Sequence, residues 1–346
     1  MTPARWIAAA AGAAAATAAV RRLRPRYDFE RRVVLITGGS RGLGLVLARQ
    51  FAAQGARLAL LARDAAELAR AQEELTNAGA TVLALRCDVR SQIEVASAIG
   101  HVVHLLGRID VLVNNAGTIQ VGPMEHMLLD DFHDAMAVHL WGPLYAILAA
   151  LPHMRGQGTG RIVNIASIGG KIGVPHLVPY CASKFALVGL SEGLRHELRR
   201  HGILVTTVCP GLMRTGSPVQ ARFKGRHERE YEWFAILGGL PGSSMKVERA
   251  ARQIVEACRR GDAEVILSLP ARAAVIAHGI APGLVSSALD WMARVLPAAA
   301  GPEGDEAAPG WQSRGKTPAT LTRLFDRAAW RNNELPGKLQ LERRSR

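Results

Sequence analysis

Between Arg32 and Leu267, short runs of β-branched and leucine residues alternate with longer segments whose apolar positions can line one helical face. The first run, Arg32 to Thr37, carries Val33, Val34, Leu35 and Ile36 in succession, the composition of a strand buried on both faces of a parallel sheet. Gly44 to Gln54 then reads as a helix that can bury Leu45, Leu47, Ala48, Phe51 and Ala52. The pattern goes on to predict strands over 57–62, 81–87 and 109–113, separated by helices over 64–78 and 91–106. Beyond these come a long helical region from Asp130 to about Arg155, a strand from Arg161 to Ala166, and a helix from Tyr180 to Arg200. A strand over 203–209, a helix over 247–260 and a short strand over 264–267 complete the series. Strands and helices in strict alternation are βαβ units with right-handed crossovers, so the expectation is one α/β domain. Its core should be a doubly wound parallel sheet of about seven strands with helices on both faces, and helical extensions should flank it.

The joint between the first strand and helix is Thr37-Gly38-Gly39-Ser40-Arg41-Gly42-Leu43-Gly44. Such a turn offers backbone N–H groups and the positive end of a helix dipole, the arrangement that binds a pyrophosphate, and the glycines let a phosphate approach the main chain. Alone, the motif also fits an ordinary strand-to-helix turn. Further on, Ser167 follows a strand end, and Tyr180 and Lys184 stand four apart on one helix face. An ammonium beside a phenol lowers the phenol's pKa from about 10 toward working pH, so Tyr180 can exchange a proton. Ser167 can hydrogen-bond the same substrate oxygen and stabilise the charge developing there. Singly, these residues read as a core tyrosine, a surface lysine and a turn serine; their order after the glycine turn points to hydride chemistry.

Thr37-Gly38-x-x-x-Gly42-x-Gly44, Asp88, Asn114-Asn115-Ala116-Gly117, Ser167, Tyr180-x-x-x-Lys184 and Pro210-Gly211 fall in the order of one known family. On these motifs residues 30–268 resemble a short-chain dehydrogenase/reductase of the single-domain branch. The resemblance implies a Rossmann-type fold, a nicotinamide cofactor, and interconversion of a carbonyl and an alcohol with Tyr180 as general acid/base. It further implies that Thr37, Gly38, Ser40, Arg41, Gly42, Leu43 and Gly44 hold the cofactor and that Lys184 also holds the nicotinamide ribose. Asp88 and Val89 should lie against the adenine, and Asn115, Ala116 and Gly117 should line the cleft. Pro210, Gly211 and Thr215 should approach the nicotinamide end. One position departs from the pattern: where many members carry an Asn completing a proton relay, this chain has His139. Its imidazole either positions a relay water as part of the catalytic set or is a packed helix residue satisfied by backbone or water. Strand two ends Leu61-Ala62-Arg63, without the acid that binds the ribose 2′-hydroxyl in NAD enzymes. Arg63, with Arg41, suits a 2′-phosphate, so NADP(H) is the expected cofactor and NAD(H) the alternative.

The segment 212–246 contains Phe223, Tyr231, Trp233, Phe234, Ile236 and Leu237 among charges, so it reads as a lid. Either its apolar side meets a lipophilic substrate or the aromatics simply pack the lid on the domain. Cys87, Cys181, Cys209 and Cys258 show no metal-ligand spacing, and no metal is expected; reduced thiols suit a cytoplasmic setting.

At 346 residues the chain exceeds one such domain, and the excess is terminal. Residues 1–29 form an apolar and basic segment: Trp6 to Val20 carries no charge and is followed by Arg21, Arg22, Arg24 and Arg26. Fifteen residues span roughly 22 Å as a helix, short of a hydrocarbon core of about 30 Å, so residues 6–24 read either as an attachment to the cytoplasmic face of a membrane or as a soluble extension. Residues 269–296 are apolar and broken by Pro282-Gly283 into two short helices. Residues 297–346 comprise a Gly/Pro/Ala-rich linker to Pro318, then a docking helix with Leu321, Leu324, Phe325, Ala328 and Ala329 on one face, and a tail. The net charge of +14 is spread over helix surfaces and termini without a zinc-finger or RNA-binding signature, so nucleic acid is not an expected partner. A small carbonyl or alcohol and further copies of the chain, as a homodimer or homotetramer, are. The competing reading is a catalytically silent NADP(H)-binding sensor or scaffold.

Overall fold

The computed structural model describes residues 27–239, 244–314 and 319–335. The expected attachment at residues 6–24 lies outside them, as do 315–318 of the linker and the tail beyond 335. Seven parallel strands form the central sheet: β1 Val33–Thr37, β2 Arg57–Ala62, β3 Val82–Arg86, β4 Val111–Asn114, β5 Gly160–Ile165, β6 Ile203–Pro210 and β7 Glu264–Leu267, in the order β7-β6-β5-β4-β1-β2-β3. Alternate residues of each strand feed two cores. Val34, Ile36, Leu58, Leu60, Val111 and Val113 pack with α1 (Gly42–Ala52), α2 (Ala65–Asn77) and, in the later chain, Val247–Arg260. Val33, Leu35, Ala59, Leu61 and Leu112 pack on the other side with α3 (Gln92–Leu106) and Gly142–Gly156. Asp64 and Ser91 cap α2 and α3 by accepting the N–H of Glu67 (2.8 Å) and Glu94 (3.2 Å).

The long helical region is three pieces: α4 Leu129–Met136, a π-helical turn Ala137–Trp141, and α5 Gly142–Gly156. It is long and apolar enough to cross a membrane, yet Ala146, Ile147, Ala150 and Met154 are fully buried in the second core, which identifies it as an interior helix. Helix α6 is Val178–Leu198, α7 His227–Gly239 and α8 Val247–Arg260; α9 Leu269–Ile280 and α10 Pro282–Val295 form the expected hairpin broken at Pro282. In that hairpin only Ala271 is buried among the described residues.

Composition misleads between Pro297 and Pro318. Pro302–Asp305 forms a 3₁₀ turn, Ala308 and Pro309 pair antiparallel with Phe223 and Arg222, and Gly310–Ser313 forms a helical turn. The glycines mark close approaches here: a Cβ at Gly304 would lie 2.6 Å from the His126 ring, and one at Gly310 would overlap the Pro218 carbonyl. Helix α11, Ala319–Arg331, follows with Phe325 and Ala329 buried, and the chain then runs to the glycine turn after β1.

Candidate active site

The strand order reverses between β1 and β4, which opens a crevice at their C-terminal ends. Gly38 leaves β1 with φ of 64°, and a Cβ there would sit 2.9 Å from Ala116 Cα. A Cβ at Gly44 would overlap the Gly38 carbonyl. Thr37 Oγ1 accepts the N–H groups of Asn115 (3.0 Å) and Ala116 (3.1 Å), and Asn115 Nδ2 donates to the carbonyls of Thr37 and Gly38, both at 3.1 Å. Thr37 and Asn115 thus lock the two strand ends together. Arg41 sits at the N-cap of α1 in extended conformation and makes no side-chain cap, while Leu43 and Gly44 are buried in the first turn.

Ser167 follows β5 and its Oγ accepts the N–H of Gly169 at 3.0 Å. The same hydroxyl faces the Tyr180 phenol and pulls its pKa downward. Lys184, one turn along α6, is buried, and its Nζ donates to the Ile165 carbonyl at 2.9 Å while lying 5.7 Å from the centre of the Tyr180 ring. Serine, tyrosine and lysine therefore meet at the end of β5. The expected electrostatics do not hold. Burial pushes the Tyr180 phenol up to about 12, against the downward pull of Ser167, and burial pushes Lys184 down to about 7. Lys184 is not among the groups that act on the phenol; its ammonium is directed at the Ile165 carbonyl.

His139 lies in the π-helical turn and is buried. Its Nε2 accepts the Thr118 N–H at 3.1 Å, so the proton sits on Nδ1 and is donated to Ser183 Oγ at 2.8 Å; Ser183 in turn donates to the Tyr180 carbonyl at 2.7 Å. Burial, with the nearby Lys184 charge, holds the imidazole well below its ordinary pKa. The ring meets Tyr180 edge-on at 5.4 Å. Of the two readings of His139, this geometry matches the packed one, since both nitrogens already have protein partners.

The remaining expected residues stand at or shortly after the C-terminal ends of the strands and in the glycine turn. Arg63 is exposed at the end of β2. Arg41 is ion-paired with Glu67 at 2.8 Å, and Ser40 Oγ donates to the same carboxylate at 3.1 Å. Partial burial works upward on Asp88, but hydrogen bonds from the Arg90 side chain and N–H prevail and hold its carboxyl below the usual range. Val89 is buried against Gly142, where a Cβ would come within 3.1 Å of it. Gly117 lies against the His139 ring. Pro210 ends β6, Gly211 donates its N–H to Leu267, and Thr215 Oγ1 shares a hydrogen bond of 2.6 Å with Ser217 Oγ. In the lid, Phe223 and Tyr231 are fully buried with Val121 and Ala235, and Trp233 and Phe234 pack on them. The aromatics serve chiefly to seat the lid. The four cysteines are free and buried.

Three residues at this site were not legible as such. Glu67 could have been found, because Asp64-x-x-Glu67 puts an acid in the first turn of α2, close to the glycine turn in a βαβ unit. Asn333 and Glu334 carry no local signal at all. After α11 the Asn332 carbonyl accepts the Gly42 N–H at 2.8 Å, Asn333 Nδ2 donates to the carbonyls of Ser40 (2.9 Å) and Glu67 (3.0 Å), and the Glu334 carboxylate accepts the Gly216 N–H at 2.6 Å.

A family model described as short chain dehydrogenase matches residues 32–224. A relative from Streptomyces coelicolor, provisionally named a ketoacyl reductase, is 40% identical over 192 residues, 55% of this chain and 74% of its own. Among solved structures, a short-chain dehydrogenase/reductase from Burkholderia phymatum in complex with NAD is similar at a TM-score of 0.69 and 25% identity, covering 75% of this chain and 96% of that one. A gluconate 5-dehydrogenase from Burkholderia cenocepacia in complex with NADP and tartrate is similar at a TM-score of 0.63 and 26% identity, covering 72% and 98%.

Proposed function

Since the chain belongs to the short-chain dehydrogenase/reductase family and is an oxidoreductase that binds a nicotinamide dinucleotide, we propose that it is an NADP(H)-dependent enzyme interconverting a carbonyl and an alcohol, with Tyr180 as its acid/base. The observation that carries this reading is the Ser167–Tyr180 hydroxyl pair beside Lys184, at the C-terminal edge of a sheet whose glycine turn opens the same crevice. The cofactor, when bound, supplies or accepts the hydride. In the reductive direction Tyr180 donates its proton to the substrate oxygen and Ser167 donates a hydrogen bond to it, so negative charge never builds up unshielded. Lys184 holds the floor of the site through Ile165 and, as the family resemblance implies, would also hold the nicotinamide ribose. His139 acts through Ser183 and the ring edge, fixing where Tyr180 points.

Domain residues fit the dinucleotide: glycines stand where a Cβ would block the main chain, and the first turn of α1 lacks a side-chain cap. NADP(H) is preferred because Arg63 is exposed at the end of β2 and Ala62 stands where an NAD enzyme has an acid. The substrate is a carbonyl or alcohol of small size. Exposed Trp141 and Leu148 on the π-turn and α5, with Phe185 on α6, favour a homo-oligomer built on these helices. A cytoplasmic setting, with residues 6–24 at a membrane surface, fits the buried thiols and the basic flank.

The test is turnover of a panel of ketones, aldehydes and their alcohols with NADPH and NADH, run beside Tyr180→Phe. We expect NADPH-dependent reduction in the wild type and a loss of at least about a hundredfold in the variant. Cofactor binding with no Tyr180-dependent turnover on any substrate would favour the silent binding module, and equal affinity for NADH would remove the NADP(H) assignment.

A further inference from the structure

The C-terminal segment occupies the place where a dinucleotide's diphosphate belongs in this fold. In a doubly wound sheet that group sits on the N-terminus of the first helix, beside the glycine turn at the switch point. Here the Gly42 N–H is already given to the Asn332 carbonyl, and the Gly216 N–H to the Glu334 carboxylate. The fit leaves no room for a second occupant: a Cβ at Gly42 would lie 2.9 Å from Glu334 Oε1, and one at Gly216 would lie 2.7 Å from Glu334 Cβ. Glu334 itself is buried. A carboxylate enclosed there, with a backbone N–H as its hydrogen-bond donor and Arg41 nearby, uses the features that would attract a phosphate.

Specific side chains hold the segment in register. Arg49 on α1 donates to the Arg331 carbonyl (2.9 Å) and to Asn332 Oδ1 (2.8 Å), and Arg70 on α2 donates to Asn333 Oδ1 at 2.7 Å. Gln220 donates to the Glu334 carbonyl. Upstream, Phe325 and Ala329 bury α11 against the lid: a Cβ at Gly238 would come within 2.6 Å of the Phe325 ring, and one at Gly216 within 2.7 Å of Ala329. The same stretch of chain therefore touches the glycine turn, the segment after β6 and the lid.

We propose that Asn332-Asn333-Glu334 is an internal latch that occupies the diphosphate subsite and must leave before a dinucleotide binds, so that cofactor and C-terminal segment compete for one place. The proposal rests on the dinucleotide-binding reading given above. Competition of this kind lowers apparent affinity by the fraction of molecules that are open, so a latch closed nine-tenths of the time raises the apparent Kd about tenfold.

Two measurements on the full chain test it. NADPH and NADH are titrated by fluorescence into the wild type and into Asn333→Ala/Glu334→Ala, which removes the side-chain bonds of Asn333 and Glu334 and leaves α11 intact. Amide hydrogen exchange across residues 328–335 of the wild type is compared with and without saturating NADPH. The latch predicts about tenfold tighter binding by the variant, and faster exchange at 332–335 when NADPH is bound. Equal or weaker binding by the variant, or unchanged or increased protection of 332–335 under NADPH, overturns the latch while leaving the dinucleotide reading standing. Binding of neither nucleotide by either protein overturns the dinucleotide reading instead. The exchange measurement needs no variant, so a misfolded double mutant does not spare the proposal.

Discussion

Lys184 is a cation that folding takes out of water, and the structure offers it a carbonyl instead of a carboxylate. Such a group costs stability while it is charged. Its pKa falls from 10.5 unfolded to about 7 folded, so between these values the unfolded chain binds the extra proton. The sign follows: the penalty is complete below about pH 7 and disappears as pH rises toward 10.5. Lys184→Met, which keeps the apolar stem, should therefore raise the unfolding midpoint, by most at pH 6 to 7 and by progressively less toward pH 10, while abolishing turnover. Denaturant melts across that range decide the matter; a variant less stable than wild type at pH 6.5 would mean that the Ile165 contact outweighs the buried charge. At the same scale, the sequence showed which residues meet but not their ionisation. The Tyr180–Lys184 spacing is local and readable, whereas desolvation depends on β5, β6 and the π-turn packed around α6.

At the scale of elements, most of the fold was legible because each strand and helix announces itself within its own residues. β2, α8 and β7 have the bounds that hydrophobic pattern predicts, and Asp64 and Ser91 cap the helices they precede. The glycine turn was legible for the same reason, and its strictness can be measured. Gly44→Ala sets a Cβ against the Gly38 carbonyl, a backbone atom that cannot yield without moving β1. We expect it to cost about 1–3 kcal/mol and to abolish NADPH binding. Gly100→Ala, on an open face of α3 with nothing within 4 Å, is the control and should gain up to about 1 kcal/mol. Thermal melts and titrations of both variants check the pair; equal stability of the two would show that the turn has slack. What the pattern missed are contacts between elements far apart in sequence. The π-turn interrupts a helix that looks continuous, the segment after Pro302 looks like a linker because its glycines answer to Pro218 and His126, and Asn333-Glu334 reads as tail because polar residues seated on a polar turn leave no periodicity.

For the molecule as a whole, three features converge on the side of α8. A cleft of about 750 Å³ is lined by Arg249, Arg252, Arg259, Arg260 and Arg272. Arg259 also donates to the carbonyl of Tyr27, so the basic, apolar N-terminal segment joins the described domain beside this cleft. Arg272 belongs to α9, where Leu269, Ile276 and Ile280 are exposed, followed on α10 by Leu284, Trp291 and Val295. A helical hairpin that buries only one alanine among its described residues lacks the packing that usually supports short helices in water, and arginines beside apolar side chains suit the boundary between anionic headgroups and acyl chains. The purified protein should therefore float with vesicles containing anionic lipid and much less with neutral ones, and the difference should shrink as salt is raised. Arg249→Glu/Arg252→Glu reverses two charges, each worth about 1 kcal/mol or more at such a surface, and should weaken flotation at least tenfold without lowering thermal stability. Deletion of residues 1–24 separates the contributions: flotation that survives it but is lost in the charge-reversed variant places the contact on the arginine cleft and hairpin, flotation lost with the deletion alone assigns it to the N-terminal segment, and flotation indifferent to both changes would remove this face from membrane contact altogether.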